Sequence, residues 1–275
     1  MCQSLRRAAV EVADPEVRAI TLGHPSYCWR FGQDRRLALI CQYVDLRDKR
    51  ILDIGAGIGM YTRKFRQFSK AVYGVDVDLD KMTEARESVP NVGVAASERL
   101  PFPDDCFDVT FLHEVIEHVE DDRRTIQEAW RVTKPGGQII IYAPNRLYFF
   151  ETHGVYLGKK YIFGVIPLVN YLPGILRNKL VPHARAYRSG GLRALFAGLS
   201  TREVVHTQVY PGFDKIARGN AFLASLLRRV TYFFETTPLR TFGLSHFLVM
   251  TKVAEEVLPF PRGRKPKRAT SLAPR

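Results

Sequence analysis

The sequence has no CxxC pair, no glycine–lysine–serine/threonine phosphate loop and no apolar run long enough to cross a bilayer. Each absence excludes something. Cys2, Cys28, Cys41 and Cys106 are scattered singly, so neither a cysteine zinc site nor a disulfide framework is expected. A reducing, cytoplasmic setting fits them better. The missing phosphate loop argues against a nucleoside triphosphatase. The longest charge-free apolar stretch, Tyr161 to Leu176, is broken by Pro167, Pro173, Gly164 and Gly174, too short and interrupted for a spanning helix. The first residues lack an apolar segment of the secretory kind, so no signal peptide is expected. No internal repeat is visible. Acidic residues are outnumbered, 28 against 41 Lys and Arg, giving a net charge of +13 and a pI near 9.7. That balance favours anionic surfaces such as nucleic acid or acidic lipid. Part of it is local, because residues 262–275 carry six basic residues and read as a disordered basic tail.

What is present centres on residues 51–78. Ile51, Leu52 and Ile54 make a short apolar run that suits a buried parallel strand. Gly55, Gly57 and Gly59 follow, where the chain must turn and let a ligand approach bare backbone. A helix is expected from Met60 to about Phe68, then a strand from Ala71 to Val75 ending at Asp76 and Asp78. This is one βαβ unit with a nucleotide-shaped pocket at the carboxyl ends of its strands. The dinucleotide fingerprint GxGxxG is not met, since Met60 stands where its third glycine belongs. Asp53, two residues before the first glycine, would repel a pyrophosphate but suits a cationic amino group. Asp76 is placed to accept hydrogen bonds from ribose hydroxyls.

These residues resemble the class I S-adenosylmethionine-dependent methyltransferases, of the type 11 kind. Asp53-Ile-Gly-Ala-Gly-Ile-Gly59 looks like their first motif and Gly74-Val-Asp76 like the acidic second one; LPFPDDCFD (100–108), EVIEHV (114–119) and KPGGQIIIYAPN (134–145) follow in order. The resemblance covers residues 48–146. It implies a Rossmann-like seven-stranded sheet whose last strand is antiparallel, and S-adenosyl-L-methionine as cofactor. The cofactor-binding set it implies is Asp53, Gly55, Ala56, Gly57, Gly59, Asp76, Val77, Ser97, Glu98 and His113. Relatives commonly carry an Asp at the position of Ala96 for the adenine amino group; its absence here passes that task to backbone near Ser97 or to Glu98. In the family an N-terminal segment closes over the cofactor, which makes Tyr27 and Arg30 candidates for its carboxylate. His118 and His113, at the rim after the fourth strand, are the candidate proton acceptors.

The remaining chain divides into an N-terminal helical cap (1–47), the cofactor core (48–146), an insertion (147–187), the C-terminal part of the sheet (188–257) and the basic tail (258–275). Helices are expected from Asp34 to Val44, Asp80 to Ser88, and from Asp121 or Asp122 to Val132, the last stopped by Lys134-Pro-Gly-Gly137 before a strand over Gln138–Ala143. The insertion is expected to be mostly helical. In the family an insertion here builds the acceptor lid, and this one is apolar and edged with Lys159, Lys160, Arg177 and Lys179. Its polar groups His153, His183, Arg185 and Tyr187 are the candidate acceptor contacts. Lys215 to Glu235 carries an apolar stripe at helical spacing and reads as one long amphipathic helix.

A sulfonium activates its own methyl group, so the protein need only align the acceptor and exclude water. No catalytic triad or metal cluster is expected. The reading is a methyltransferase for a small-molecule or lipid-like acceptor, cytoplasmic, with peripheral contact with an anionic membrane left open. The alternatives are an RNA or protein methyltransferase using the basic tail, or a cofactor-binding protein without catalysis. Nucleic acid is disfavoured because Leu112-His-Glu-Val stands where many nucleic-acid amino methylases carry Asn-Pro-Pro-aromatic.

Overall fold

The structure is a computed structural model describing residues 30–254. Tyr27 and the basic tail lie outside the described residues. The βαβ unit forms where the glycines predict it. Strand β1 (Ile51–Ile54) is buried along its whole length, as a strand covered on both faces must be. It pairs in parallel with β2 (Val72–Asp76) on one side and β4 (Phe107–His113) on the other. Between β1 and β2 runs α2 (Met60–Phe65), shorter than the sequence suggests because the chain turns off after Phe65. Helix α3 (Leu79–Arg86) starts at Asp78, whose carboxylate accepts from the amides of Asp80 and Lys81, and leads to β3 (Val92–Val94). Helix α4 (Asp122–Val132) is capped by Asp121 in the same way.

The sheet has seven strands in the order β10-β11-β5-β4-β1-β2-β3. Strand β11 (Ser245–Lys252) runs antiparallel to both its neighbours, β5 (Thr133–Pro144) and β10 (Thr201–Val209). The implied methyltransferase sheet is therefore present. The chain leaves β1 toward β2 and β3, then crosses back to β4, so the crevice for a ligand opens above the carboxyl ends of β1 and β4.

Strand periodicity divides the core in two. Leu52, Ile54, Leu112, Ile139, Ile141 and Leu248 pack against α4 and against α6 (Ser189–Ala194). Ile51, Phe111, Ile140, Tyr142, Phe247 and Val249 pack against α1 (Phe31–Tyr43) and α2.

Three expectations are corrected. The strand after α4 begins at Thr133, so Lys134-Pro-Gly-Gly137 lies within β5; the irregular pairing between Phe107 and Val109 absorbs the glycines. The insertion is not mostly helical. It holds two small antiparallel ladders, β6 (Phe150–Glu151) with β9 (Ile166–Pro167) and β7 (Val155–Leu157) with β8 (Lys160–Ile162), one 3₁₀ turn at Val169–Tyr171 and one helix, α5 (Gly174–Leu180). Its Tyr, Phe, Val and Ile are strand formers, and Gly158, at φ 63°, makes the turn between β7 and β8. The long helix is broken into α7 (Asp214–Gly219) and α8 (Ala221–Glu235), because Gly219 ends the first and the Asn220 side chain caps the second.

Candidate active site

The glycine bend is the floor of the site. Gly55, Gly57 and Gly59 all have left-handed backbones, at φ 73°, 53° and 79°. A side chain at Gly55 would collide with Val115, its Cβ lying 2.3 Å from a Val115 methyl, whereas one at Gly57 would enter open space. Only Gly57 thus leaves room for a ligand against the backbone. Gly55 and Ala56 donate their amides to the Val75 carbonyl, tying the bend to β2. Asp76 Oδ2 accepts from the Gly57 amide at 2.9 Å and its Oδ1 from the Asp78 amide at 2.9 Å. Beside it Val77 and Leu79 are half or more exposed, an apolar step next to the carboxylate.

Asp53 lies below the bend, 2% exposed, and accepts a 2.6 Å hydrogen bond from the Thr62 hydroxyl. Burial raises its pKa to about 7; the Thr62 bond opposes that rise and the Asp76 charge adds to it. A nearby cation would draw the carboxyl back to its ionised form.

The rim after β4 is held by a network that local sequence does not announce. Glu114 has a left-handed backbone, φ 55°, rare for a non-glycine residue and common where a site is built. Its carboxylate meets the Arg36 guanidinium from α1 at 2.9 Å and the Ser245 hydroxyl from β11 at 2.7 Å. Burial pushes the Glu114 pKa up, but Arg36 and the surrounding donors outweigh it and hold it at about 2. Arg36 also lies 2.6 Å from His113 Nε2. That ring nitrogen is therefore an acceptor already in use, and burial together with the Arg36 charge lowers the His113 pKa to about 3. His113 stacks near Tyr61, its ring centroid 4.6 Å away. It forms part of a cleft of about 240 Å³ with Arg30, Arg36, Tyr210 and Tyr232, between α1 and the α7–α8 region.

His118 is elsewhere. Its Nδ1 bonds the His183 carbonyl at 3.0 Å, and burial and neighbouring His153 lower its pKa to about 4. Ser97 and Glu98 are also engaged internally. The Ser97 hydroxyl lies 3.0 Å from that of Thr125, and Glu98 Oε1 accepts from the Glu120 amide at 3.0 Å. The Glu98 carboxylate ties two loops together, so it is a weak substitute for the aspartate absent at Ala96.

The four acceptor candidates are brought together, but all are engaged in hydrogen bonds within the protein. The Arg185 guanidinium donates to the carbonyls of Val119 and Glu120, and its amide to that of Glu117. The Tyr187 hydroxyl is 2.9 Å from the Ile116 carbonyl and 2.8 Å from the Asp122 carboxylate. His183 Nε2 is 3.0 Å from the His153 carbonyl, and His153 Nδ1 is 2.9 Å from Glu151. Buried donors satisfy themselves on nearby acceptors: those of Arg185 and Tyr187 lie on the loop after β4 and at the start of α4, and those of His153 and His183 lie within the insertion itself. Charge and ring chemistry mark such residues in a sequence; their bonding partners decide what they do.

Comparison with known proteins places this geometry. A family model described as a methyltransferase domain matches residues 52–141. The chain is 28% identical over 149 residues to the ubiquinone/menaquinone biosynthesis C-methyltransferase UbiE of Cronobacter sakazakii, covering 50% of this chain and 58% of that protein. It is 29% identical over 169 residues to a ubiquinone biosynthesis O-methyltransferase of Coxiella burnetii, covering 58% and 70%. The chain spans little more than half the length of the UbiE relative. A solved S-adenosylmethionine-dependent methyltransferase from Mesorhizobium loti shares the fold, with a TM-score of 0.55 at 18% identity over 78% of this chain and 96% of that one. Residues 52–141 match the methyltransferase-domain family model, and the fold around them is that of a solved S-adenosylmethionine-dependent methyltransferase.

Proposed function

We propose that this chain is an S-adenosylmethionine-dependent methyltransferase for a small-molecule or lipid-like acceptor. The supporting observation is the open bend at Gly57, flanked by Asp53 and Asp76 at the point where the strand order reverses. The residues fit the cofactor. Asp76 would accept from ribose hydroxyls, and Asp53 would balance the amino group. Val77 and Leu79 would carry the flat base, and Arg30 with Arg36 would face a carboxylate. Adenine recognition then falls to backbone near Ser97. The bound cofactor supplies a methyl group already activated on sulfur. The chain holds the acceptor beside it and keeps water away.

The acceptor class rests on two supports. Both relatives named above are ubiquinone-biosynthesis methyltransferases by their printed names. The lid and α8 also leave large apolar side chains uncovered, Phe163, Ile175, Phe222 and Phe233 among them. Among the described residues no helix is long and apolar enough to cross a membrane, so contact with lipid would be peripheral.

Calorimetric titration with S-adenosylhomocysteine tests the cofactor assignment. Wild type should bind, and Asp76→Ala should bind at least about tenfold more weakly, the scale of a lost hydrogen bond to a charged group. Equal affinity would remove the ribose contact. Incubating a lysate with methyl-labelled cofactor tests the acceptor: label in the lipid or small-molecule fraction supports the reading, and label confined to protein or RNA overturns it.

A further inference from the structure

Glu117, on the loop after β4, is 1% exposed, and both its carboxyl oxygens lack a hydrogen-bond partner. A buried carboxyl in that state costs several kcal/mol unless something neutralises it, roughly the penalty of an uncompensated polar group. Two imidazoles face it. Glu117, His118 and His153 each offer one ligand atom, and the three lie within 4.8 Å of one another. His118 Nε2 is 3.9 Å from Glu117 Oε1, and the two rings are 5.2 Å apart, edge to face.

The hydrogen bonds around the rings settle which nitrogen is free. His118 Nδ1 is 3.0 Å from the His183 carbonyl, which can only accept, so Nδ1 carries the proton and Nε2 keeps its lone pair. His153 Nδ1 is 2.9 Å from Glu151 Oε1. Glu151 also receives the Arg177 guanidinium at 2.7 Å and the amides of Thr152 and His153, so it is the acceptor and Nδ1 is again the donor. Both rings are oriented by an oxygen behind them, as metal-bound histidines are. The supports continue outward. Arg177 pairs with Glu151 at 2.7 Å, and Tyr161 donates to the His153 carbonyl at 2.6 Å.

We propose that Glu117, His118 and His153 form a binding site for a divalent cation of the Zn²⁺ class, joining the lid to the loop after β4. Two imidazoles and a carboxylate are a donor set that zinc takes with its fourth position open. Donors on one tetrahedral zinc stand roughly 3.3 Å apart, so side-chain rotations of about 1 Å close the set. Magnesium, which prefers oxygen donors and keeps its waters, suits it poorly. The site is independent of the methyl-transfer reading.

Chelator-stripped full-length protein, dialysed against Zn²⁺ and assayed by elemental analysis, should hold one equivalent per chain, and Mg²⁺ should not compete. His153→Ala and Glu117→Gln should each weaken Zn²⁺ at least about tenfold, while His206→Asn, on β10, should not. Should a variant fail to fold, X-ray absorption of the Zn²⁺-loaded wild type decides, expecting nitrogen and oxygen neighbours and no sulfur. Substoichiometric binding, unchanged affinity in both ligand variants or a sulfur neighbour would overturn the proposal.

Discussion

At the scale of single residues the site is an exercise in where a carboxylate may keep its charge. Asp53 has a pKa raised to about 7 against an ordinary carboxylate value near 4, with burial as the main cause. Between those values the folded chain holds a proton that the unfolded chain has released, so this group makes stability fall as pH rises through that window. A cationic amino group on Asp53 reverses the preference, since it favours the ionised form. Affinity for S-adenosylhomocysteine should therefore rise from pH 6 to pH 8 with proton release, and Asp53→Asn should flatten that dependence; calorimetry in buffers of different ionisation enthalpy reads both. A pH-independent wild-type affinity would remove the assigned contact. Asp53, the glycines and Asp76 were legible in the sequence because their spacing is local. Arg36, Glu114 and Ser245 were not, since the contacts span 78 and 131 residues. Glu117 and His118 were visible as a motif fragment, but their companion His153 arrives from the lid.

At the scale of elements the insertion is an apolar unit of two ladders in which a buried ion pair ties β6 to α5. Arg177 and Glu151 are each 2% exposed. Replacing Arg177 by Met leaves Glu151 charged and buried, which should cost about 3–5 kcal/mol. Thermal unfolding should show the loss, and limited proteolysis should locate new cleavage within residues 147–187. A change below about 1 kcal/mol would mean that His153 alone holds Glu151. Strands β1, β2 and β4 and helix α4 matched their sequence patterns because each has a clean period, whereas β5 took in the glycines expected to precede it. The insertion misled because its apolar residues follow neither period for long, and its ladders are only two or three residues per strand. The break in the C-terminal helix was readable at Gly219-Asn220, yet an uninterrupted apolar stripe outweighed it.

At the scale of the whole molecule, a net charge of +13 accompanies exposed aromatics on α8. Sedimentation with vesicles should show binding to anionic but not to neutral lipid, weakened by salt and by Phe222→Ser with Phe233→Ser. Equal recovery with neutral vesicles would refute an electrostatic contribution. The loop from His113 to Glu120 has a wider consequence. It receives α1 through Arg36, the last strand through Ser245, the bend through Val115 and the insertion through Arg185. A ligand at one end reaches the other only by favouring one arrangement of this loop, and any such coupling is equal in both directions.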